Sequence, residues 1–236
     1  MSLPKIQHPT FRITVPSTKK QISFRPFLVK EEKVLLMAKT STETSDILSA
    51  VKQIVNNCCV EKNFDVNKLT VFDLEYLFLK IRANSVNNKV ELVFKDLEDE
   101  KEYKFEVDLN AIEVEYPKNA DPKIPIDEKM GIIMRYPSAT IYDDKNFLSL
   151  GQDALFELMI KCIDKIYRDD ELIDASTYAR EEIAEFVDSL SVSTFEKIQA
   201  FLTNAPTMKH LITYRNSLGN ERKIELTTLT DFFTLR

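Results

Sequence analysis

The sequence predicts an α+β protein: β-hairpins with packed helices in the N-terminal part, then a mainly helical C-terminal part ending in a β-hairpin. Three observations carry that expectation. Short runs of alternating apolar and polar residues come in pairs, each pair joined by a polar turn. Between and after them lie longer stretches whose apolar residues recur every three or four positions. Those helical stripes dominate the last third of the 236-residue chain.

The first hairpin is read from Phe11-Arg12-Ile13-Thr14-Val15, the turn Pro16–Lys19, and the alternation from Gln21 to Phe27. Pro26 removes a backbone donor and ends sheet pairing. Lys30-Glu31-Glu32-Lys33 then forms the first turn of a helix, with its acids where the dipole favours them. Val34 to Ala38 are apolar without a break, so this short helix must be covered on more than one side. Ser45 fits an N-cap. It opens an amphipathic helix whose stripe is Ile47, Val51, Ile54 and Cys58.

A third helix spans about Thr70 to Ala83 and is apolar on two sides. Val71, Leu74, Leu77, Phe78 and Ile81 form one face; Phe72, Tyr76 and Leu79 form the other. Such a helix is sandwiched inside its own domain or covered by a partner, and internal burial is the favoured reading. If a partner covers it, Phe72, Tyr76 and Leu79 are the candidate contacts, joined by Phe232 and Phe233 near the chain end. A second hairpin is read from Val90–Phe94 and Tyr103–Val107, with Glu98, Asp99 and Glu100 in a solvated turn. Those acids lack calcium-loop spacing and its central glycine.

Pro117 to Pro125 is the densest proline segment and reads as a stiff connector. It suggests an N-terminal α+β domain over 1–116, a connector over 117–129 and a mainly helical domain over 130–236, with a single domain as the alternative. Gly131–Pro137 reads as a strand. Leu155, Met159, Cys162, Ile163 and Ile166 read as one helical stripe, followed by an acidic break at Arg168–Glu171. Ala179 to Leu190 reads as a further helix, and Ser193-Thr194-Phe195-Glu196 as the capping box of the next. Met208–Tyr214 and Arg222–Leu226 flank Asn216-Ser217-Leu218-Gly219-Asn220 as a third hairpin.

Composition excludes several functions. A net charge of -6 argues against a phosphate-backbone binder, which needs clustered basic residues. It also gives no support to binding at an anionic membrane surface. No apolar run approaches the roughly 20 residues of a membrane span, and the N-terminus lacks a signal-peptide core. Cys58, Cys59 and Cys162 read as reduced core thiols. Three thiols and two distant histidines, His8 and His210, do not make a zinc site. Only three glycines occur, Gly131, Gly151 and Gly219, so no phosphate-cradling loop can be written. Carboxylate pairs such as Asp143-Asp144 and Asp169-Asp170 could serve acid/base catalysis, but adjacent acids in loops are usually solvated. No catalytic, cofactor or metal residue is assigned.

Phe24-Arg25-Pro26-Phe27-Leu28-Val29-Lys30-Glu31-Glu32-Lys33 with Leu35-Leu36-Met37-Ala38 resembles the N-terminal signature of the T4-type phage baseplate-hub assembly family. Phe72-Asp73-Leu74-Glu75-Tyr76-Leu77-Phe78-Leu79-Lys80-Ile81-Arg82-Ala83 looks like its second marked segment. Asn216–Glu221 and Asp231-Phe232-Phe233 are similar to its C-terminal end. The resemblance implies a non-enzymatic, chaperone-like tail assembly protein that binds other baseplate-hub proteins. It implies synthesis in the host cytoplasm, with the virion tail as a possible final location. A stoichiometric hub subunit is the nearest alternative, and a cytoplasmic enzyme using a carboxylate pair is the alternative from another class.

Overall fold

The computed structural model describes residues 6–40, 44–85, 87–118, 121–143, 147 and 153–232. The first elements are β1 (Phe11–Thr14), β2 (Gln21–Phe24), α1 (Val29–Thr40), α2 (Thr44–Cys58) and α3 (Val71–Ala83). Strands β3 (Lys89–Lys95), β4 (Glu102–Asp108) and β5 (Glu113–Glu115) follow. Then come β6 (Lys123–Pro125), β7 (Met130–Met134), α4 (Ala154–Cys162), β8 (Ile163–Arg168) and β9 (Glu171–Asp174). The chain closes with α5 (Arg180–Asp188), α6 (Val192–Thr203), β10 (Thr207–Arg215), β11 (Glu221–Leu226) and α7 (Leu229–Phe232). These elements group into two compact units, residues 1–115 with 207–236, and residues 116–206.

In the first unit all three hairpins read from the sequence form: β1 with β2, β3 with β4, and β10 with β11, each antiparallel. β10 also pairs with β5, Met208 opposite Val114, giving the sheet order β11-β10-β5. The last hairpin therefore belongs with the N-terminal residues. α3 runs through the core of this unit. Leu74, Leu77, Phe78, Leu79 and Ile81 are all at or below 1% exposure. Full burial of such side chains is worth about 1.5–3 kcal/mol each.

One polar strip between the two apolar faces of α3, carrying Asp73 and Lys80, is covered as well. Asp73 closes a capping box with Thr70 and accepts bonds from the Ser17 amide (2.9 Å) and hydroxyl (2.5 Å). Lys80 donates to the Leu109 and Asn110 carbonyls and pairs with Glu113 at 3.2 Å. Buried polar groups persist only when satisfied in this way.

The second unit corrects the expected fold class. The C-terminal part is not mainly helical. A four-stranded antiparallel sheet, β6-β7-β8-β9, forms its centre. Helices α4, α5 and α6 share a core with it, built on Ile132, Met134, Met159, Ile183, Ile198 and Phe201. Tyr136 stacks on Phe201 with centroids 4.7 Å apart.

The stripe read as one helix over Leu155–Ile166 breaks at Cys162, where the chain becomes β8. Ile132 faces Ile166 and Ile133 faces Lys165, but Met134 faces Ile163, so Asp164 is the extra residue of a bulge. The bulge puts Ile163 and Ile166 against the same core despite their three-residue spacing. The acidic break is the tight β8–β9 turn, with Asp169 at φ 52°. α6 is capped by Ser191, whose hydroxyl accepts the Thr194 amide, two residues before the expected box. The connector read over 117–129 contains β6.

Candidate interaction surface

The strand-to-helix corner at Phe24–Ala38 is built around one ion pair. β2 stops at Phe24, which bridges to Cys59, while the Arg25 amide donates to the Cys58 carbonyl at 2.9 Å. The end of α2 thus extends the pairing that Pro26 ends. Arg25 then grips Glu31 with two hydrogen bonds, Nη2 to Oε1 at 2.9 Å and Nη1 to Oε2 at 3.1 Å. The same guanidinium donates to the Pro26 and Asn57 carbonyls at 3.0 and 2.8 Å. Glu31 also accepts the Leu28 amide at 3.0 Å, satisfying a donor at the helix start.

The Glu31 side chain is 0% exposed and that of Arg25 15%. Burial pushes the Glu31 carboxyl up. The Arg25 hydrogen bonds, the Leu28 amide and the Arg25 and Lys30 charges outweigh it and hold the group below its ordinary value. Arg25 is raised in turn, first by its hydrogen bonds to Glu31. Fork-to-fork geometry of this kind is the strong form of an Arg–carboxylate contact.

That pair sits on the inward side of α1, and the helix is inverted as a result. Glu31, Leu35 and Ala38 are buried, whereas Val29 is 74% exposed, Leu36 54% and Met37 73%. On a helical projection Val29, Lys33, Leu36 and Met37 occupy one arc, opposite Glu31, Leu35 and Ala38. The sequence reading required cover on more than one side of this helix. Among the described residues, Val29, Leu36 and Met37 stay largely exposed on the other side.

The residues nominated as partner contacts from the sequence lie elsewhere. Phe72 is 4% exposed, Tyr76 8%, Leu79 0% and Phe232 0%. The Tyr76 hydroxyl donates to Glu113 at 3.0 Å. Phe233 lies outside the described residues. These four side chains fill the interior, while the exposed apolar residues of the signature stretch are on α1. The signal was present in the unbroken run Val34–Ala38, which is wider than one buried face needs. Exposure, however, depends on what packs against a helix and not on its own pattern.

The acidic turn of the β3–β4 hairpin is not simply solvated. Asp96 is 3% exposed, accepts from the Tyr214 hydroxyl at 2.5 Å and forms an ion pair with Arg222, Nε to carboxylate 3.2 Å. Glu98 accepts from the Asn216 and Asn220 amides, and Asp99 from the Ser217 amide and hydroxyl and from Tyr103. Burial raises the Asp99 carboxyl, but those donors carry it well below the ordinary carboxylate range. The network locks one hairpin tip to the other, and the Asn216–Glu221 segment is half of the lock.

Other titratable groups are dispersed. Asp169 and Asp170 are exposed in the β8–β9 turn, and Asp169 pairs with Lys129 at 3.4 Å. Asp144 lies outside the described residues. Cys58 and Cys162 are buried and Cys59 is partly so. Burial pushes the Cys58 thiol up to about 11 and that of Cys162 to about 12, so both are unreactive thiols at neutral pH. No group of three or more metal-ligating side chains occurs among the described residues. Glu75 on α3 is raised to about 7, by burial first and then by the Asp231 carboxylate. In the second unit, Met130, Ile166, Ile173, Tyr178 and Phe186 line an open apolar groove of about 490 Å³. No helix among the described residues is long and apolar enough to cross a membrane.

Comparison with known proteins gives one finding. No curated protein and no solved structure matches the chain. The family model described as T4 bacteriophage base plate protein matches residues 8–234, which takes in the Arg25–Glu31 corner, α3 and the interlocked hairpin tips. The chain belongs to the T4 bacteriophage base plate protein family.

Proposed function

We propose that the chain is a non-enzymatic protein that acts in assembly of the baseplate hub, chaperone-like, by binding other hub components. It does so in the infected host's cytoplasm. The observation that carries this reading is the inverted α1: a helix that buries a carboxylate and turns Val29, Leu36 and Met37 outward. Large apolar side chains clustered on one exposed helix face favour a protein partner. Membership of a baseplate family supplies the class of that partner.

Affinity purification of the full-length protein from infected cells, with mass spectrometry of what co-purifies, tests the proposal. Baseplate proteins at reproducible ratios support it, and absence of every tail component counts against it. Comparison of finished tails with assembly intermediates then separates a transient factor from a structural subunit. A fixed copy number in finished tails would replace the chaperone-like role with the subunit role.

A further inference from the structure

We infer that the Arg82 guanidinium on α3 is the anchor for a carboxylate side chain of another baseplate protein. The inference rests on the proposed partner-binding role and adds a contact residue and the charge of its counterpart.

Arg82 lies on the second polar strip of α3, the one that also carries Glu75. The charges of the first strip are met within the chain: Asp73 accepts from Ser17, and Lys80 donates to the Asn110 carbonyl and pairs with Glu113. Arg82 is not met. Its Nε and Nη1 are buried without an acceptor. Glu75, about two turns back along the helix, does not serve it. Burial and then the Asp231 carboxylate raise Glu75, and no cation among the described residues lowers it.

Two contacts place the guanidinium beside the strand-to-helix corner. Phe27 packs on Phe78 with ring centroids 5.7 Å apart, and its amide donates to the Ser85 hydroxyl oxygen at 2.8 Å. Arg82 falls between Phe78 and Ser85 on the same side of α3. The residue is part-exposed, so Nη2, the nitrogen that is not enclosed, is its outward edge.

A guanidinium stays charged at any accessible pH, and enclosing its donors without an acceptor destabilises the free chain. A carboxylate brought to Nη2 supplies a charge-assisted hydrogen bond and the missing counter-charge. A phosphate ligand needs clustered basic residues, and Arg82 is the one cation among the described residues of its strip. A second copy is disfavoured by the net charge of -6 that both chains would carry.

The test reads two properties of Arg82→Met, its stability in isolation and its recovery of partners from infected cells. Loss of an unmet buried charge should leave the isolated protein at least as stable, with a urea midpoint up by about 0.5 M. Recovery of a baseplate protein should fall about tenfold or more. Arg82→Lys keeps the charge and should recover more partner than Arg82→Met. A photo-crosslinking amino acid at exposed Asn84 then maps the captured peptide, which should carry an Asp or Glu. Arg82→Glu should lose that capture, and an acid-to-Arg change in the captured peptide should restore it.

A lowered midpoint together with lowered recovery would mean that Arg82 serves the fold, and would overturn the inference. Capture of a second copy, of the chain's own acids or of a peptide without a carboxylate would overturn it as well. If baseplate proteins co-purify equally with wild type and Arg82→Met, the inference fails and the proposed function stands. If none co-purifies with wild type, both fail.

Discussion

Replacing Glu31 by Ala should cost the first unit about 3–4 kcal/mol. The substitution leaves the Arg25 guanidinium, 15% exposed, without its counter-ion and the Leu28 amide without its acceptor. Breaking one side of a buried pair costs about 3–5 kcal/mol. The low end applies, because Arg25 keeps the Pro26 and Asn57 carbonyls and reaches water. The lost amide acceptor adds about 1 kcal/mol. Urea unfolding followed by circular dichroism reads the effect, and a slope of about 2 kcal/mol/M turns it into a midpoint drop of about 1.5–2 M.

The double variant Arg25→Met/Glu31→Met removes both charges and should recover most of the loss. The Glu31 increment also depends on pH. Its folded value lies below its unfolded one, so the stabilisation is complete above about pH 4.5 and fades as pH falls through the folded value. Glu31→Ala should lack that part of the acid dependence. A midpoint shift under about 0.3 M, or a double variant no better than Glu31→Ala, would refute the claim that the ion pair organises the corner.

Glu75→Gln should act in the opposite pH direction. The folded Glu75 value of about 7 lies above its unfolded one, so wild-type stability falls as pH rises from about 4.5 to 7. The variant should gain about 3 kcal/mol at pH 8 and under about 1 kcal/mol at pH 5 in paired urea titrations. Gly131→Ala should destabilise the second unit by about 1–3 kcal/mol, because the added methyl group would meet the Tyr167 ring and lie 2.6 Å from the Ile124 carbonyl oxygen. Thermal unfolding measures this, and an unchanged midpoint would count against the close approach. Asp99→Ala should speed hydrogen exchange at the Ser217 amide, which donates to that carboxylate. An unchanged rate would mean that the two hairpin tips are held by other contacts.

The sequence revealed elements whose partners are close in the chain. All three hairpins were legible because alternation and polar turns are local signals, and α3 because its two apolar faces follow the 3.6-residue period. What it concealed was non-local. Nothing in Glu113-Val114-Glu115 announces pairing with residues more than ninety positions away, so the sheet that joins β5 to the last hairpin is not legible. β8 was hidden for another reason. The bulge at Asp164 spaces Ile163 and Ile166 as a helix would, and both continue the stripe of Met159 and Cys162. The candidate surface was half legible: Val34–Ala38 declared a helix too apolar for one face. Glu31 was read as a residue of a charged first turn, yet its burial against Arg25 is what turns the other face outward.

The central claim is that this baseplate-family chain works by holding other baseplate proteins through α1. The most direct measurement is quantitative affinity purification of the full-length protein from infected cells, wild type against Leu36→Asp/Met37→Asp. Both positions are exposed, so the fold should survive the change. The account predicts baseplate proteins with the wild type and a loss of about tenfold or more with the variant. Equal recovery with both would contradict it.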